Sequence, residues 1–151
     1  MIDYMEAMVD DFPKNIKPNE IAPSPAPEDL FAAGEGNLLD KQRAEEYHTF
    51  VAKGLFACKR ARPDIHPTIA VLSTRVKQPN EDDWRKLHRL LKYINGTRKD
   101  KLILSADDLH VIKWYVDCAF AVHPDFKSHT GGNMTYGQGT RLCPLCPGNK
   151  N

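Results

Sequence analysis

Proline placement does most to limit what this chain can become. Five of its eleven prolines, with two glycines, fall between Pro13 and Gly36, including the run Ala22-Pro23-Ser24-Pro25-Ala26-Pro27. Each X-Pro step pushes the preceding residue out of the helical region, so no helix can run through this stretch. It reads as an extended linker lying over something else. Pro63 and Pro79 then cut the middle of the chain into separate pieces. Pro67 falls in a first helical turn, where its missing N–H costs nothing.

Between these breaks the apolar residues keep a helical period. Ile2, Met5, Val9 and Phe12 form one face of a short helix that Pro13 stops. Asp40 can cap a helix through about Arg60, with Ala44, Tyr47, Val51, Leu55 and Cys58 on a stripe. A third spans His66 to Lys77, with Ile65, Ile69, Leu72 and Val76 facing inward. Asn80 caps the clearest helix, whose first turn holds Glu81, Asp82 and Asp83, where the helix dipole favours acids. Its buried stripe is Trp84, Leu87, Leu90, Leu91 and Ile94, and Asn95-Gly96 closes it. After Gly96 the period changes. Lys101–Ser105 and Leu109–Asp117 read as a hairpin about Asp107-Asp108, with Asn133–Tyr136 as a third strand. The fold class expected is therefore α+β.

At 151 residues with 41% apolar and 27% charged content, the chain suits one modest core. No run approaches eighteen apolar residues, and the acidic start Met1–Phe12 is unlike a secretory signal. Four cysteines without such a signal point to free thiols, in the cytoplasm or nucleus. A formal charge of +1 hides an asymmetry. Residues 1–40 carry nine acids against two lysines, residues 41–101 carry fifteen Lys and Arg against seven acids, and the remainder is neutral.

Three constellations could carry chemistry. The basic block, with Arg75, Arg85, Lys86, Arg89, Lys92 and Arg98 as its principal members, could neutralise phosphates of a nucleic acid. Equally, these could be the solvated outer faces that amphipathic helices need. Asp117, ending the apolar run Val111–Val116, could be a strand-borne metal carboxylate or an ordinary turn-initiating Asp. Cys143 and Cys146 have zinc-knuckle spacing, and His123 and His129 could complete a tetrahedral set. The alternative there is a coincidental pair in an irregular tail. From the residues alone, a basic nucleic-acid-binding module and a small zinc protein both stay open.

Tyr47 to Gly139 resembles part of the Pol polyprotein of copia-type LTR retrotransposons. The residues that carry this are His48-x-x-Val51-Ala52-Lys53-x-Leu55-Phe56-x-Cys58 running into Lys59-Arg60-Ala61-Arg62-Pro63-Asp64-Ile65, then Pro79–Trp84 and Leu90–Thr97. Trp114-Tyr115-Val116-Asp117-Cys118-Ala119-Phe120-Ala121 and His123–Gly132 follow in order. Ile2–Met5 and Ala22–Pro25 resemble the family more loosely.

The resemblance implies four divisions. Residues 1–36 would be an N-terminal helix and Pro-rich linker, and 37–100 the helical connection region of a reverse transcriptase. Residues 101–139 would be the truncated start of a ribonuclease-H-like domain, and 140–151 a divergent, disordered tail. It further implies that Asp117 is the first Mg²⁺-binding carboxylate of the nuclease site. The second Asp often found two residues later is replaced by Ala119, and no Tyr-x-Asp-Asp polymerase motif is present. After Gly139 the chain departs from the family, as a frame change or splice junction would produce. The expectation is a Pol segment that binds no Mg²⁺ and is catalytically inactive alone. Its expected partners are an RNA–DNA hybrid, bound weakly, and the remainder of a polyprotein, with no membrane.

Overall fold

A computed structural model of the chain describes residues 1–32, 34–103, 108–121, 128–137 and 141–143. The elements are α1 (Ile2–Asp10), α2 (Lys41–Cys58), a 3-10 turn (Pro63–Ile65), α3 (His66–Thr74) and α4 (Glu81–Gly96). Four strands follow: β1 (Lys101–Ile103), β2 (Ile112–Ala119), β3 (His129–Tyr136) and β4 (Arg141–Cys143). The class is α+β. By contacts the chain forms two compact units, Met1–Leu30 with Gly34–Asp100, and a second one that contains the strands.

In the helical unit, local chemistry sets each helix end. Asp40 accepts the backbone N–H of Arg43 at 2.9 Å and starts α2. Asn80 and Asp83 exchange reciprocal bonds of 2.9 and 3.0 Å, a complete capping box that starts α4. The chain ahead of α2 is fastened beside this box, since Leu39 N–H donates to Pro79 O and Glu81 N–H to Asn37 O.

The core gathers Met5, Met8 and Val9 from α1, Phe12 just after it, and Tyr47, Phe50, Val51, Ala57 and Cys58 from α2. Ile65, Ile69 and Leu72 join them, with Trp84, Leu87, Leu90, Leu91 and Ile94 of α4. Phe12 lies edge-on to Phe50 at 5.0 Å and stacked on Trp84 at 5.2 Å, so the residue before Pro13 joins three elements. The α2 stripe is turned from the expected one. Phe50, Gly54 and Ala57 are buried, whereas Ala44 and Leu55 only flank the core. Gly54 explains the turn. A Cβ there would fall 2.3 Å from Ile69 Cδ1, so the absent side chain lets α3 lie close against α2.

Gly96 also has a role other than the expected one. It belongs to the last turn of α4 itself, and a Cβ on it would meet Ile21 at 3.2 Å. Its smallness admits the linker rather than a left-handed cap.

The second unit has two antiparallel ladders among its described residues. β2 pairs with β3 along eight positions, from Ile112↔Tyr136 to Ala119↔His129, and β1 pairs with β4 through Leu102↔Leu142. The expected β1–β2 hairpin with an added third strand is thus replaced by two two-stranded ladders. The reason is length. Eight residues of β2 find a full-length partner only in β3, while β1 offers three. Arg141–Cys143, expected within a disordered tail, is the strand β4, and residues 144–151 lie outside the described residues. All of β2 is exposed, Trp114 at 67% and Val116 at 72%.

Candidate nucleic-acid interface

α4 presents its cations on one stripe. Arg85, Arg89 and Lys92, separated by four and three residues, lie along one side, with Lys86 beside them and Arg98 just past the helix end. The Pro-rich segment 13–30, which α1 and Pro13 deliver to this side, runs antiparallel along that stripe. Arg85 pairs with Asp29, Lys86 donates to Leu30 O at 3.3 Å, and Arg89 donates to Ser24 Oγ at 3.1 Å. Lys92 pairs with Glu20 at 3.5 Å, and Asn95 donates to the carbonyls of Lys17 and Glu20 at 2.9 and 3.0 Å. The linker therefore does lie over another element, and that element is the basic helix.

Other acids of the first forty residues act in the same way. Asp10 at the end of α1 meets Arg98 at 3.0 Å, and Asp11 meets Lys53 of α2 at 2.9 Å. The opposite charges of residues 1–40 and 41–101 are thus matched to a large degree inside the chain.

Further pairs come from α4 itself. Asp82 receives Lys86 at 2.8 Å and also Arg85. Burial raises the Asp82 carboxyl pKa, but hydrogen bonds from Lys86 and Arg85 outweigh it and hold the carboxyl below its ordinary value. A backbone hydrogen bond from Lys17, with Lys92 adding to it, lowers Glu20 likewise. Arg75 meets the buried Asp83 at 3.3 Å. Each of the six expected phosphate-binding cations consequently has a partner in its own chain.

Arg62 shows the limit of reading a cation as a surface group. It is 1% exposed, bonds Asp64 through Nε and Nη2, and donates to Thr97 O and Oγ1 at 3.0 and 2.7 Å. Burial pulls its pKa down, yet the Asp64 bonds win and raise it. Tyr93 completes the knot by donating to Asp64 at 2.9 Å. Lys59, Lys77 and Lys99, in contrast, are exposed and engage no carboxylate among the described residues.

Asp117 sits in β2 opposite Gly131, fully on the surface. Among the described residues, no three His, Cys, Asp or Glu side chains come together as metal ligands. Mg²⁺ bridging in two-metal chemistry needs several carboxylates around the ion, and Asp117 has no such company here. The described residues do not fit that cofactor. His123, Asp125 and Cys146 lie outside the described residues; His129 and Cys143 fall at the ends of β3 and β4.

What sequence reasoning missed is the set of acids that answers the cations: Asp10, Asp11, Glu20 and Asp29, with Ser24. A signal existed in the −7 of the first forty residues. In the sequence that charge stands as a contrast to the basic block, and nothing local marks it as the block's partner.

A linker-wrapped helical unit and two short ladders make an α+β chain, and the helical unit carries a self-neutralised basic face. The comparisons with known proteins give it a relation. Over 94 residues, 62% of this chain, it is 31% identical to the retrovirus-related Pol polyprotein from transposon TNT 1-94 of Nicotiana tabacum. Over 89 residues, 59% of the chain, it is 27% identical to the putative transposon Ty5-1 protein of Saccharomyces cerevisiae. The chain is thus similar to these two transposon proteins over about 60% of its length. The matched parts are 7% of the tobacco protein and 29% of the yeast protein. No family model matches the chain, and no solved structure matches it. Among the described residues no helix is long and apolar enough to cross a membrane.

Proposed function

We propose that the chain is a segment of a copia-type Pol polyprotein, reaching from the reverse transcriptase connection region into the opening strands of ribonuclease H. Its role is to face an RNA–DNA duplex without cutting or copying it. The observation that carries this reading is the likeness to two transposon proteins over about 60% of the chain. The motifs from His48 to Gly132 stand in the order expected of that region. A helical unit followed by an Asp-bearing antiparallel ladder is consistent with it.

Catalysis is excluded from the proposal by ligand chemistry. One carboxylate cannot hold two divalent ions, neutralise them and orient water. The test is hybrid cleavage and primer extension with Mg²⁺ or Mn²⁺, using Asp117→Asn as the contamination control. The expected result is no activity above that control. Cleavage by the wild type that disappears in Asp117→Asn would overturn the reading and imply that a second chain completes the ligand set.

A further inference from the structure

One cation of the α4 stripe is provided for differently from its neighbours. Arg85, Lys86 and Lys92 each meet a carboxylate, whereas among the described residues Arg89 meets only the hydroxyl of Ser24, at 3.1 Å from Nη2. The Nε of Arg89 is buried and has no acceptor. A buried guanidinium N–H without a partner is costly, and a fork with an unused arm suits a tetrahedral oxyanion. The group already in front of it is a serine hydroxyl, the atom to which such an oxyanion can be joined.

Ser24 lies between Pro23 and Pro25 in the segment along α4. This half-buried Ser-Pro step sits in a bend outside any helix and carries the Ser-Pro pair that a proline-directed kinase reads. We infer that Ser24 is a phosphorylation site, and that its phosphate clamps the segment 13–30 onto α4 through Arg89. In the transfer, Ser24 Oγ attacks the γ-phosphorus of a nucleoside triphosphate. The bond to the β-phosphate oxygen breaks, the hydroxyl proton passes to the kinase's base, and the nucleoside diphosphate leaves.

Two effects oppose each other. Phosphorylation removes the proton with which Ser24 bonds Ala26 O at 2.9 Å, and it adds negative charge to a segment that already carries Glu20, Glu28 and Asp29. Against this, the phosphate brings three acceptors and about −1.5 to −2 charges to Arg89, with Lys86 and Lys92 three residues to either side. Glu20 and Asp29 are already paired with Lys92 and Arg85, which blunts their repulsion. The clamp wins.

The experiment treats the whole chain with a proline-directed serine/threonine kinase and ATP, and maps phosphate by mass spectrometry. Ser24 should be modified and Ser24→Ala should be blank at that peptide. The modified protein should melt about 3 °C higher, and glutamyl endopeptidase should cut after Glu20 and Glu28 severalfold more slowly. Both gains should vanish in Arg89→Gln, whose unmodified form should melt within about 2 °C of wild type. Should Arg89→Gln fail to fold, Arg89→Lys replaces it, with a smaller gain expected because the fork is lost. No phosphate at Ser24, no gain after modification, or a full gain in either Arg89 variant would overturn the inference.

Discussion

Arg62 has more riding on it than any other polar residue of the helical unit. It ties the 3-10 turn before α3 to the end of α4 through Asp64 and Thr97, with almost no exposure. Truncating one member of a buried pair leaves the other charged and poorly solvated. Arg62→Ala is therefore expected to cost about 3 kcal/mol in urea unfolding, against less than about 1 for the half-buried Lys53→Ala, whose partner Asp11 is exposed. Equal costs would deny the knot its role. His88 makes a second prediction at this scale. Burial lowers its pKa, helped by Lys92 and Lys14, so the folded state resists the proton that the unfolded chain accepts. The unfolded state then binds more protons, and stability falls as pH drops from about 6.5 toward the lowered folded value. His88→Phe should flatten stability across that window, and an unchanged slope would assign the loss elsewhere.

At the scale of elements, the α4 start and the α2–α3 contact give opposite lessons about small changes. Asn80→Ala breaks a complete capping box and should cost about 1 kcal/mol. Gly54→Ala would ordinarily help a helix by about 1 kcal/mol. Here the new methyl collides with Ile69 in the core, so the change should destabilise by about 1–3 kcal/mol instead. A thermal melt that rises would show that α3 can move aside. The first of these effects was legible in the sequence, because Asn80 and Asp83 are three residues apart and their chemistry is local. The Trp84 to Ile94 stripe was legible for the same reason. Gly54 was not, since what it admits is Ile69, a residue of another helix. Strand pairing was hidden more deeply. Gly131 and Gly132 weaken the β signal of β3, so only Asn133–Tyr136 was expected. Sequence proximity favours pairing β1 with β2, whereas its partner β4 lies about forty residues away.

For the molecule as a whole, the decisive feature is where the charges of the first hundred residues go. Charge asymmetry was visible in the sequence, but partners 56 to 72 residues apart, such as Asp29 with Arg85 and Glu20 with Lys92, leave no local trace. Four of the candidate cations, Arg85, Lys86, Arg89 and Lys92, lie on α4, and their engagement by the linker was not legible. Taken with the proposed duplex-facing role, this arrangement is expected to weaken affinity for a polyanion, because phosphates would have to compete with the chain's own acids. The most direct test is the salt dependence of RNA–DNA hybrid binding by the wild type and by Glu20→Gln/Asp29→Asn. Ion pairs of acids this open to solvent contribute little to stability, so the variant should fold. With Lys92 freed and Arg85 partly freed, the variant should bind about tenfold more tightly near 50 mM salt. Its log–log salt slope should steepen by about one to two. An identical affinity and slope in the two proteins would contradict the claim that the linker neutralises this face.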